Sequence, residues 1–243
     1  MSNCKKCREP AEELFEFSMA FQPIIDVRDG CVLSHEALVR GPAGEGAMTV
    51  LAQITEDNRY QFDQRARVQA IQRAVELGMT GLLNINFLPN AVYDPATCIR
   101  TTLEAYRSSG FATSRVVFEI TEGEQITDHD HIRRIFAEYR RHGIQTAIDD
   151  FGAGYSGLNL LAEFQPDWIK LDMQLVRNIH SNRPRAAIVR GILSVCRELD
   201  IQVIAEGIDD DPVETNRRLF SGSTQLAIAA IATVYAAFHM AAL

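Results

Sequence analysis

The stretch Thr146 to Leu158 reads TAIDDFGAGYSGL: a short apolar run that delivers two adjacent carboxylates, Asp149 and Asp150, into a glycine-rich turn. Neighbouring aspartates at the end of a buried strand repel each other and lose hydration, a costly arrangement unless something positive, most simply a metal ion, sits with them. Gly152, Gly154 and Gly157 allow the following loop to lie close over a ligand. Taken alone, the stretch also fits an ordinary strand-to-helix turn with Asp150 as the helix cap. The neighbouring segments decide between these readings.

Working outward, the same pattern recurs on both sides. Upstream, MAFQPIID (Met19–Asp26), a turn at Arg28-Asp29-Gly30 and a second apolar run from Cys31 to Arg40 predict a hairpin. Alternation in the second run puts Glu36, Leu38 and Arg40 on one face and His35, Ala37 and Val39 on the other. That places an acid and a base together, as either a site or a cross-strand surface pair. Helices are expected over Thr49–Glu56 and Tyr60–Leu77, followed by the strand LLNINF, in which Asn84 and Asn86 share a face. Asparagine is a poor strand former, so two at a strand end point to oxygen ligands or polar readers rather than packing.

A helix from Pro95 to Ser108, a strand RVVFEIT carrying Glu119 with Glu122 beyond it, and a helix from His131 to Arg141 lead into the opening stretch. After it come a short helix near Leu158–Glu163 and the strand WIKLDM with Lys170 and Asp172. A helix over Pro184–Leu199 and the strand QVIAEG, ending in Glu206, complete the series. The polar residues Asn86, Glu119, Asp149, Lys170 and Glu206 are spaced 21 to 36 residues apart, the length of a strand-plus-helix unit. Short apolar strands in successive β/α units predict a parallel sheet. A polar residue at each strand end predicts a TIM-like (β/α)8 barrel with its site at that face. An open doubly wound sheet is the alternative, but it would gather its ligand at one switch point and not use at least five strands.

Bulk properties agree with one large domain: 243 residues, 47% hydrophobic and 23% charged. The formal net charge of −8 argues against a surface that binds duplex nucleic acid by neutralising phosphates, though not against a small phosphate ester held through metal ions. No secretory signal is evident at the N-terminus, and cytoplasm is the expectation. Five cysteines (Cys4, Cys7, Cys31, Cys98 and Cys196) do not make a disulfide framework. Cys4 and Cys7 form a single C-x-x-C, read as part of an exposed N-terminal tail over residues 1–16, or alternatively as half of a zinc site shared across a dimer.

Glu36, Asn86, Glu119, Asp149, Asp150 and Glu206 are all oxygen donors, with no histidine or cysteine at a strand end. They suit hard divalent cations such as Mg²⁺ or Mn²⁺. Their number favours two ions bridged by Asp149, an arrangement that clamps the attacking and leaving oxygens of a phosphodiester. Lys170 among them could orient or deprotonate a water, stabilise developing charge, or simply pair with a carboxylate.

In order and spacing, FQPIID, EALVR, NINFLP, FEITE, DDFGAGYSGL, WIKLD and AEGID resemble the EAL domain family of cyclic di-GMP phosphodiesterases over nearly all of Phe17–Asp209. The resemblance implies a barrel whose first strand is antiparallel, and hydrolysis of cyclic di-GMP to pGpG with two Mg²⁺ or Mn²⁺ ions. It implies Glu36, Asn86, Glu119, Asp149, Asp150 and Glu206 as metal ligands, with Lys170, Glu36, Asp149 and Asp150 carrying catalysis and Lys170 holding the water. Gln22, Leu38 and Arg40 would contact substrate, Arg40 through phosphate. Glu122 would fix the loop after Asp150, a segment the family also uses near its homodimer contact.

Two departures qualify the match. Asp209 stands where the family pattern has a second glutamate. From residue 220 the chain diverges, reading TQLAIAAIATVYAAFHMAAL from Thr224, with Gln225 followed by Leu226 and not by the expected glycine. The final segment is read as the last strand and helix closing a barrel domain that spans residues 17–243. A membrane anchor and an altered tail are the competing readings. The alternative function is a non-catalytic module that binds cyclic di-GMP or a protein partner.

Overall fold

The computed structural model describes residues 14–26, 28–122, 128–154, 157–207 and 226–228. Eight strands close into a barrel in the order β1 to β8. The hairpin β1 (Ser18–Asp26) and β2 (Val32–Arg40) is antiparallel, with Gln22 opposite Glu36. From β2 the strands run parallel: β3 (Leu82–Asn86), β4 (Val116–Thr121), β5 (Gln145–Phe151), β6 (Trp168–Leu171), β7 (Gln202–Ala205) and β8 (Leu226–Ile228). β8 is parallel to β7 and antiparallel to β1, so it joins the two ends of the sheet.

The helices between strands are α1 (Ala47–Leu51), α2 (Arg59–Glu76), α3 (Pro95–Ser109), α4 (His129–Arg141), α5 (Gly157–Glu163), α6 (Met173–Val176) and α7 (Arg183–Glu198). Local chemistry sets several ends. Asp128 caps α4 by accepting from the His131 N–H, and Asn182 caps α7 by accepting from the Arg185 N–H. Gly110 closes α3 in the left-handed conformation. β6 stops at Leu171, short of the expected Met173, because Asp172 turns the chain by capping α6 through the Gln174 N–H. α1 ends at Leu51 and not at Glu56.

Strand alternation sorts the side chains into two cores. Facing out, Leu83, Ile85, Phe87, Phe118, Ile120, Ile148, Ile169, Leu171 and Val203 pack against α2, α3, α4 and α7 residues such as Ile71, Ile99, Ile135 and Leu193. Facing in, Ile24, Val117, Ala147, Trp168 and Ile204 form an apolar floor inside the barrel. The interior positions above that floor, toward the carboxyl ends of the parallel strands, are polar.

Cys98 and Cys196 are buried free thiols and Cys31 is an exposed one. Cys4 and Cys7, Gln225, and the segment beyond Ile228 lie outside the described residues. Among the described residues no helix is long and apolar enough to cross a membrane.

Candidate metal centre

The site is built one strand at a time on the inward positions above the floor. β2 presents Glu36, β3 presents Asn84 and Asn86, β4 presents Glu119, β6 presents Lys170, and Glu206 follows directly on β7. β5 contributes two consecutive carboxylates, which strict alternation would send to opposite faces. A bulge resolves this. Between the pairs Ile148↔Ile169 and Phe151↔Leu171, β5 holds one residue more than β6, and Asp150 takes a left-handed φ of 54°. Asp149 and Asp150 therefore reach the same mouth. The backbone at Asp150 is that of a bulge, not of a helix cap.

Lys170 is 1% exposed and its Nζ lies 3.0 Å from Glu36 Oε2, 3.3 Å from Glu119 Oε2, 2.9 Å from Asp149 Oδ1 and 3.1 Å from Glu206 Oε1. Burial opposes its charge, but Glu119, Glu36, Asp149 and Glu206 outweigh that and hold the ammonium well above the ordinary lysine range. One lysine does not balance five carboxylates. Burial, opposed by Lys170 and reinforced by Glu36 and Asp149, pushes Glu119 well up. Burial likewise raises Glu206 to about 7 and, with the charges of Asp149 and Asp172, raises Asp150 to about 6. The centre is short of positive charge.

The donor atoms fall into two groups, Glu36, Glu119 and Asp149, and Asp149, Asp150 and Glu206. Within each group one oxygen per residue lies within 4.8 Å of the others. Asp149 belongs to both. An all-oxygen set with a shared carboxylate fits two hard divalent cations. Asn86 joins the set by donating from Nδ2 to Glu36 Oε1 at 3.1 Å, which leaves its carbonyl oxygen as a further donor to a cation.

The other expected residues take distinct places. Glu122 collects the glycine loop: Oε2 accepts from the Gly152 N–H at 2.6 Å and the Gly154 N–H at 3.4 Å, and Oε1 accepts from the Gly157 N–H at 2.7 Å. A Cβ on Gly154 would stand 2.8 Å from Glu122 Oε1, so the close approach requires glycine there. Gln22 and Leu38 sit on the β1–β2 ribbon, in register with Glu36 and Ala20 respectively. Arg40, at the end of β2, donates from Nη1 to the Val39 carbonyl at 2.8 Å and is not among the groups that contact Lys170.

Asn84, read from sequence as an oxygen ligand or polar reader, has a specific hydrogen-bonding place here, and Asp172, Asp63 and Arg67 had no role assigned from sequence. Asn84 donates to Glu119 Oε1 at 2.6 Å and accepts from the Ser34 hydroxyl, orienting the most buried carboxylate. Its place on the Asn86 face was the available signal. Asp172 adds negative charge beside Asp150. Behind the sheet, Asp63 and Arg67 form a fully buried ion pair on α2, at 2.6 Å. The signal for it was a charged pair at i and i+4 on the stripe that also carries Ala70 and Ala74.

Fold and site together define an α/β barrel protein with an acidic, lysine-centred mouth suited to divalent cations. The model of the EAL domain matches residues 9–214, and the chain belongs to that family. Among solved structures, it is similar to a standalone versatile EAL protein from Vibrio cholerae O395 in its c-di-GMP bound form. That match has 47% identity and a TM-score of 0.83, over 89% of this chain and 90% of that one. It is also similar to Klebsiella pneumoniae BlrP1 in a manganese/cy-diGMP complex, at 36% identity and a TM-score of 0.80, over 88% of this chain and 54% of that one. A curated relative is the blue light- and temperature-regulated antirepressor BluF of Escherichia coli K12, 32% identical over 78% of this chain and 47% of BluF. The chain spans about half the length of BluF.

Proposed function

We propose that this protein hydrolyses cyclic di-GMP to linear pGpG with two Mg²⁺ or Mn²⁺ ions, acting in the cytoplasm as a homodimer. The observation that carries the reading is the pair of carboxylate groups sharing Asp149, with the Lys170 ammonium in contact with members of both. The cyclic di-GMP in the complexes of both structural relatives supports the substrate, and the manganese in the BlrP1 complex supports a divalent cation.

In this mechanism Glu36, Glu119, Asp149 and Asn86 would hold one ion and Asp149, Asp150 and Glu206 would hold the other. When bound, the ions supply the Lewis acidity that activates water and offsets phosphodiester charge. The chain's own groups do the rest. Lys170, in contact with members of both carboxylate groups, serves as a hydrogen-bond donor that orients the attacking water and stabilises charge developing on phosphorus oxygens. Asn84 holds Glu119 in place from below. Gln22 and Leu38 line the ribbon beside Glu36, and Arg40 exchanges its bond to the Val39 carbonyl for a phosphate oxygen. Glu122 holds the backbone at Gly152, Gly154 and Gly157 in place beyond Asp150.

The test is incubation with cyclic di-GMP and Mg²⁺ or Mn²⁺ while following pGpG. Metal-dependent pGpG formation is the expected result, and nucleotide binding without turnover under both metals would reject it. That second outcome would favour a non-catalytic module working through a protein partner. This reading draws support from the antirepressor BluF and from the divergent sequence after residue 220.

A further inference from the structure

Arg67 sits outside the barrel, on α2, and is 0% exposed. Its guanidinium lies over three rings, with its carbon 5.2 Å from the Phe87 centroid, 4.9 Å from Phe118 and 5.8 Å from Tyr139. Nη1 donates to the Tyr139 hydroxyl at 3.0 Å, and Nη2 pairs with Asp63 at 2.6 Å. Nε has no acceptor and Nη2 meets Asp63 as a charge partner without hydrogen-bond alignment, so the group is held by rings and charge as much as by hydrogen bonds. The other oxygen of Asp63 accepts from the Leu88 N–H at 2.9 Å.

The positions of those partners matter. Phe87 directly follows Asn86, and Phe118 directly precedes Glu119. Alternation makes each phenylalanine the outward neighbour of an inward ligand. Asn86 and Glu119 are themselves partners in register across β3 and β4, and the Phe87 N–H donates to the Glu119 carbonyl at 3.0 Å. The Phe87 and Phe118 rings meet edge-on at 5.8 Å on the far side of the same two strands. Asp63 pins the chain at Leu88, two residues past Asn86. A single buried ion pair therefore grips the outer surface of the two strands whose inner surface carries Asn86 and Glu119.

We infer that Asp63 and Arg67 are positioning residues for the metal centre: the clamp on Phe87, Phe118 and Leu88 fixes the relative height and tilt of Asn86 and Glu119, and so sets the affinity for divalent cations. A purely structural pair would hold α2 to the barrel and leave ion affinity alone. Replacing a buried ion pair with apolar residues of similar volume commonly preserves the fold, which makes the two roles separable. This inference rests on the metal reading above.

The test is titration of full-length protein with Mn²⁺, without nucleotide, by isothermal calorimetry, with folding checked by near-UV circular dichroism and thermal melting. The double variant Asp63→Leu/Arg67→Met keeps the layer apolar. Arg67→Lys keeps the charge but lacks the flat group that spans three rings. Each folded variant is expected to bind Mn²⁺ ten-fold or more weakly, and a loss of three-fold or more upholds the inference. Leu193→Ala opens a cavity against α7, away from the clamp, and controls for general loosening. A folded clamp variant within three-fold of wild type, or an equal loss in Leu193→Ala, overturns the inference. If the wild-type protein takes up no Mn²⁺, the metal reading itself fails, a result distinct from equal binding by wild type and variant.

Discussion

Lys170 Nζ lies 2.9 Å from Asp149 Oδ1, and Asp149 is the one carboxylate common to both candidate ion groups. The lysine thus neutralises the same oxygens that would hold cations. Lys170→Met removes a positive charge from the centre and a donor from the reacting water. Mn²⁺ binding is expected to hold or tighten while pGpG formation falls by about 10²-fold or more. Calorimetry and turnover measured on the same preparation check the split, and weaker Mn²⁺ binding would contradict it.

Charge shortage at the mouth also sets a pH dependence. Glu206 moves from an ordinary 4.5 to about 7 and Asp150 from 3.8 to about 6, chiefly through burial. The native state therefore binds more protons than the unfolded chain between about pH 4 and pH 7. Metal-free protein should lose stability as pH rises through that window, by something on the order of 1–3 kcal/mol. Ions compete with those protons, so added Mn²⁺ should reverse the trend, and its uptake near pH 6.5 should release protons. Thermal melts at pH 5.5 and 8 with and without Mn²⁺, together with calorimetry in two buffers, read both effects. A metal-free protein more stable at pH 8 would refute the assignment.

Glu122 accepts from three backbone N–H groups of one loop. Glu122→Ala strands the buried Gly157 N–H, at a cost of about 1–3 kcal/mol for a buried donor left unpaired, and turns the exposed Gly152 and Gly154 N–H groups to water. Hydrogen exchange should accelerate at Gly152, Gly154 and Gly157 while the amides of β6 keep their protection. Unchanged exchange in that loop would show that its fold does not depend on the carboxylate.

Gly207 follows Glu206 with a φ of 67°, and a Cβ there would lie 2.5 Å from Met173 Cβ. Gly207→Ala is expected to destabilise the protein by roughly 1–3 kcal/mol and to weaken Mn²⁺ binding through displacement of Glu206. Denaturant unfolding and metal titration check the two halves separately.

Much of this was legible in the sequence because strand ends announce themselves. Asn86, Glu119, Lys170 and Glu206 each fall in the last part of a short apolar run, and their spacing alone points to β/α units around a common mouth. The antiparallel first strand was legible in the Asp29-Gly30 turn. What alternation could not supply was the way Asp149 and Asp150 share a face, because that depends on one extra residue relative to β6. Asn84 was visible as a polar strand residue, but its hold on Glu119 crosses between strands and exists only once register is set. Asp63 and Arg67 were harder still. A charged pair on a helix reads as a solvated face until the rings of Phe87, Phe118 and Tyr139 are known to enclose it.

The inward layer of Ile24, Val117, Ala147, Trp168 and Ile204 has a consequence for traffic. It puts hydrocarbon beneath Glu119, Asp149 and Lys170, so a charged species could not pass downward between those residues without giving up its hydration. Ions held by these carboxylates would exchange with solvent from the side of the strands' carboxyl ends.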